Sequence, residues 1–72
     1  MTMQEAFARN LSVCLAERNL SAYQLELESG ISQYTIYSYT KSNNRIPNLY
    51  SAYKIAKALG VTVDRLLEGC DE

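Results

Sequence analysis

Histidine is absent from this sequence, and its two cysteines, Cys14 and Cys70, stand far apart with no CxxC spacing. A metal site would lack its usual ligands, and acid–base catalysis would lack its commonest group. A chain of 72 residues also offers little volume for an enclosed substrate pocket. These residues predict a protein that is not an enzyme, with no cofactor and no small-molecule ligand. Cys14, on an apolar helical face, reads as a small buried residue, and Cys70 as a free, exposed thiol. What the chain does have is a sorted set of charges. Lys41, Arg45, Lys54 and Lys57 fall between residues 31 and 60, where no acid occurs, while both flanks are acidic and the whole carries −1. Lys and Arg are the groups that neutralise phosphate. An acidic molecule with pI about 5.3 can therefore present one basic face.

The elements that must carry these residues are helices. At this length the chain is one domain, burying about 60% of its unfolded surface, and its low Gly and Pro content excludes linker-like or disordered composition. A run of roughly 18 apolar residues, enough to span a membrane, is missing, and Met1-Thr2-Met3-Gln4-Glu5 resembles no leader. The expectation is a soluble cytoplasmic protein. Phe7, Leu11, Cys14 and Leu15 follow helical spacing and predict a first helix from about residue 2 to Arg18. Three later starts repeat one pattern: an apolar residue, a Ser or Thr cap, and an apolar residue four positions on. They are Leu20-Ser21 with Leu25, Ile31-Ser32 with Ile36, and Val61-Thr62 with Leu66, each an N-cap flanked by a hydrophobic staple. Gln24 completes a capping box with Ser21.

Gly30 ends the second helix, and a third runs from about Gln33 to Thr40. A loop through Pro47 leads to a fourth helix capped by Asn48, with Leu49, Ala52, Tyr53, Ala56 and Leu59 on one face and Tyr50, Lys54 and Lys57 on the other. Gly60 ends it, and a short fifth helix runs from Val63 to about Glu68.

Helices two and three, joined at Gly30, have the spacing of a helix-turn-helix over residues 21–41. From Leu20 to Leu67, about two-thirds of the chain, the sequence resembles the Cro/C1 repressor (XRE) family. The resemblance is carried by Leu20-Ser21, Leu25, Ser29-Gly30-Ile31-Ser32, Thr35-Ile36 and Pro47-Asn48-Leu49, and most specifically by KIAKALGVTVDRLL (54–67). It implies an all-α, compact five-helix, lambda-repressor-like domain occupying residues 1–72 as a single unit. It further implies sequence-specific binding of double-stranded DNA, as a homodimer on a palindromic operator, by a bacterial or phage-encoded transcriptional regulator.

Carried over by position, the base-reading surface falls on Ser32, Gln33, Tyr34 and Ser38, with Tyr37 beside them. The spacing agrees: with Ile36 and Tyr39 inward, Gln33, Tyr34, Tyr37 and Ser38 point outward. A Gln amide donates and accepts at once, matching adenine N6 and N7, and tyrosine offers a ring to thymine methyls. Lys41, Asn43, Asn44 and Arg45 follow as phosphate contacts. Lys54 and Lys57 read instead as solubilising residues.

The sequence departs from the family at four positions. Ala22 replaces the usual phosphate-touching Gln, with Gln24 two residues on. Glu26 replaces an Ala where the motif helices approach, so a buried carboxylate there is costly unless it swings to solvent. Leu15 and Thr40 stand where an Arg and a Glu often pair, and both charges are absent together. Dimer contacts are expected at Val63, Leu66 and Leu67, although core packing against the first helix explains the same residues. The competing reading is a protein-interaction module, an antirepressor or heterodimer partner on the same scaffold, permitted by the acidic pI, Ala22 and the tyrosine-rich third helix.

Overall fold

The computed structural model describes residues 1–41 and 46–71. Among the described residues there are five helices and no strand: α1 (Met3–Glu17), α2 (Ala22–Ser29), α3 (Gln33–Tyr39), α4 (Leu49–Leu59) and α5 (Val63–Leu66). None is long and apolar enough to cross a membrane.

Each helix begins where a side-chain oxygen can take an orphan N–H. Thr2 caps α1 through the N–H of Glu5, and the Glu5 carboxylate accepts in return from the N–H of Thr2 at 2.9 Å. Ser21 and Gln24 form the expected box on α2. Asn48 accepts from Ser51 N–H at 2.7 Å, and Thr62 from Arg65 N–H at 3.1 Å. Gly30 and Gly60 close α2 and α4 at φ of 79° and 74°, in the left-handed region that glycine enters without strain. Asn19, at φ 54°, makes the comparable turn after α1, a conformation asparagine tolerates.

α2 packs on α3 and α4, α1 on α3 and α5, and α4 on α5. The core they enclose contains Phe7, Leu11, Cys14, Leu25, Ile31, Ile36, Tyr39, Ile55, Leu59 and Leu66. Both members of each expected staple join or pack against it. The ring of Phe7 meets that of Tyr39 edge-on, with centroids 5.8 Å apart. Cys14 is buried as expected, whereas Cys70 is free but half-buried rather than exposed.

α4 corrects the expected face. Its buried stripe is Ala52, Ile55, Ala56 and Leu59, with Ser51 beside it, while Leu49 and Tyr53 are exposed. Ile55 has no polar atom to keep in water, and Tyr53 does, so the stripe settles on the isoleucine side. The expected dimer residues divide likewise. Leu66 is fully buried in the core, leaving only Val63 and Leu67 partly uncovered.

Two polar side chains sew distant parts together. Asn10, buried in α1, donates from Nδ2 to the carbonyls of Leu66 and Glu68. Arg18 donates from Nε to the carbonyl of Leu59 at 3.1 Å, and from a terminal nitrogen to that of Cys14. The last carbonyls of α4 and α5 are thus met by side chains of α1 and its C-cap.

Candidate nucleic-acid interface

The turn between α2 and α3 is built from the backbone outward. Gly30 N–H donates to the carbonyl of Glu26 at 2.9 Å, which closes α2. Ser29 is buried, and its hydroxyl oxygen accepts from the N–H of Ile31, so the reversal carries its own hydrogen bond inside the core. Ile31 then drops into the core, and Ser32 starts α3 by accepting from the N–H of Tyr34 at 3.2 Å.

α3 buries Ile36 and Tyr39 and no other side chain. Gln33 is exposed, and Tyr34 and Tyr37 stand out at 83% and 58% exposure. These three share the outer face, as spacing required. Ser38 does so in part: it is half-buried, and its hydroxyl donates to the carbonyl of Thr35 at 2.8 Å, so toward a ligand it offers lone pairs rather than its proton. Ser32 is exposed at the leading edge, its oxygen already engaged as a cap.

At the other end, the Lys41 ammonium sits 4.6 Å from the centre of the Tyr37 ring. This cation–π contact holds a positive charge beside the outer face. Its i, i+4 spacing was readable in the sequence. The other three expected phosphate contacts, Asn43, Asn44 and Arg45, lie outside the described residues. Lys57 lies over Tyr53 on α4 at 5.8 Å, and Lys54 is half-buried.

The family-typical glutamine is absent at position 22, and the exposed Gln24 side chain keeps its NH2 donors while its oxygen serves the cap. Ala22 packs against the core, and the carbonyl oxygen of Gln24 is engaged by the N–H of Ser21. Leu15 packs against the core while the Thr40 hydroxyl donates to the carbonyl of Tyr37, so neither position keeps an unmet group. Glu26 is half-buried, so its carboxylate is only partly turned to solvent. Its Oε1 accepts from the backbone N–H of Gln33 at 2.8 Å, across the turn. Only its departure from the family's alanine hinted at such a role.

A family model described as helix-turn-helix (HTH_3) matches residues 11–66, most of the chain. The chain belongs to the XRE-type helix-turn-helix family. Neither curated proteins nor solved structures give a match. As an XRE-type helix-turn-helix protein it is a DNA-binding regulator in kind, and α3, the second helix of the motif, is the element that enters the major groove in such proteins. The matched span includes both motif helices, α4 and α5, and all but the first two turns of α1.

Proposed function

We propose that this chain is a sequence-specific transcription regulator of the repressor type, binding double-stranded DNA as a homodimer on a palindromic site in the cytoplasm of a bacterium. One observation carries the reading: α3 turns Ile36 and Tyr39 into the core, so that Gln33, Tyr34 and Tyr37 project together from the motif, with Lys41 at their edge. Gln33 reads a base, most naturally adenine through N6 and N7, and the two tyrosines contact thymine methyls or the backbone. Ser32 and Ser38 flank them with hydroxyl oxygens. Lys41, Asn43, Asn44 and Arg45 hold phosphates and set the register.

The second copy is supported by an open apolar groove of about 250 Å³ between the start of α1, the approach to α4, and α5, lined by Met3, Ile46, Leu49, Ala52, Val63 and Leu67. Leu49 is 82% exposed at its border. A projecting leucine bordering an apolar groove offers a second copy both a knob and a hole, which an isologous two-fold contact would use together. Helix-turn-helix dimers read half-sites about 34 Å apart, and the proposed dimer must meet that spacing.

The protein-interaction alternative draws support from the exposed tyrosines Tyr23, Tyr34, Tyr37, Tyr50 and Tyr53. Selection of bound sites from a random duplex pool at two salt concentrations decides between them. A palindromic consensus whose affinity falls with salt upholds the regulator, and no enrichment at low salt turns the reading to a protein partner.

A further inference from the structure

The first turn of α3 carries Gln33 and Tyr34, and both are exposed; the two core anchors, Ile36 and Tyr39, sit further along the helix. Two side-chain acceptors start that turn. Ser32 takes the N–H of Tyr34 at 3.2 Å, and Glu26 takes that of Gln33 at 2.8 Å. The second is the shorter, is charge-assisted, and reaches from the body of α2, so it ties the start of α3 to a packed element. A family alanine at this position could not make it.

The geometry points to Glu26 as a positioning residue for sequence discrimination, fixing the first turn of α3 and with it the aim of the Gln33 side chain. This inference rests on the DNA-binding reading above. The same carboxylate brings a negative charge to the margin of the recognition surface, which opposes phosphate whatever the sequence. The two effects separate in two substitutions. In Glu26→Gln the side-chain carbonyl can still accept from Gln33 N–H without the charge, whereas Glu26→Ala removes both.

The test measures affinities of the full chain and both variants for a selected site and for random duplex. Both variants should bind random duplex a few-fold tighter. The ratio of selected to random affinity should hold in Glu26→Gln and fall about tenfold in Glu26→Ala. Amide exchange at Gln33 in the free protein should be slow in wild type and Glu26→Gln and faster in Glu26→Ala. A merely structural role would lower the thermal midpoint and reduce both affinities in step, leaving the ratio unchanged. An undiminished ratio in Glu26→Ala, or an equal loss in Glu26→Gln, overturns the inference while the DNA reading stands. A wild-type chain that selects no sequence overturns the DNA reading itself.

Discussion

Asn10 donates from one amide nitrogen to two carbonyls near the other end of the chain, those of Leu66 at 3.0 Å and Glu68 at 2.9 Å. The amide is buried, and so is its bond to Leu66, while the bond to Glu68 is half-buried. Asn10→Ala leaves both carbonyls without their donor and opens a small void. It should cost about 2–3 kcal/mol, lowering the thermal midpoint by roughly 10 °C or more for a chain this small. Calorimetry of the variant checks this.

Gly30→Ala isolates backbone strain from packing. A Cβ built at Gly30 meets nothing within 4 Å, yet φ is +79°. The expected loss is about 1–2 kcal/mol, the cost of a left-handed conformation for an L-residue. Urea unfolding should show a lower midpoint with an unchanged slope.

The capping box at the start of α1 makes stability pH-dependent. The backbone N–H and hydroxyl of Thr2 hold the Glu5 carboxyl below its ordinary value. A depressed folded-state value stabilises fully above the unfolded carboxylate range and is lost as pH falls through the lower, folded one. The difference in thermal midpoint between wild type and Glu5→Ala should therefore be steady near neutral pH and shrink below about pH 4. A difference that grows on acidification would refute the assignment.

Gln33 and Lys41 should fail differently on DNA. Gln33→Ala should cost about 1–3 kcal/mol on the selected site and relax preference at one base pair. Lys41→Ala should weaken all duplexes alike and reduce the salt slope by about 1 for each phosphate that the lysine neutralises. Titrations on matched and mismatched duplexes at several salt concentrations distinguish the two patterns.

Leu49→Glu tests the proposed dimer. Because Leu49 is so exposed in the single chain, the substitution should leave the fold intact while placing a charge at the groove border. Sedimentation should show a monomer, and affinity should fall on a palindrome far more than on an isolated half-site.

The sequence made the helix ends legible because caps are short-range chemistry. Ser21, Ser32, Asn48 and Thr62 each bond an N–H two or three residues on, and Gly30 and Gly60 adopt the positive φ their type allows. The outer face of α3 was legible from periodicity, since inward Ile36 and Tyr39 leave Gln33, Tyr34 and Tyr37 no other side. The contacts that escaped join a side chain to a distant backbone group: Glu26 to Gln33 N–H, Asn10 to two carbonyls, Arg18 to the carbonyl of Leu59. Every residue has a carbonyl, so nothing in residue type marks the one that a far-off amide or guanidinium will find. The face of α4 differs from the sequence expectation for a related reason. Leu49 and Tyr53 fit the helical period as well as Ile55 does, and the neighbouring helices decide among them.

The sparse anchoring of α3 has an evolutionary consequence. Because Ile36 and Tyr39 are the side chains it turns into the core, the outward positions 33, 34 and 37 can change identity with little penalty to the fold. On the DNA-binding reading proposed above, target preference and thermodynamic stability are nearly decoupled, so that substitutions at these three positions would alter the site read while the packed residues keep the fold.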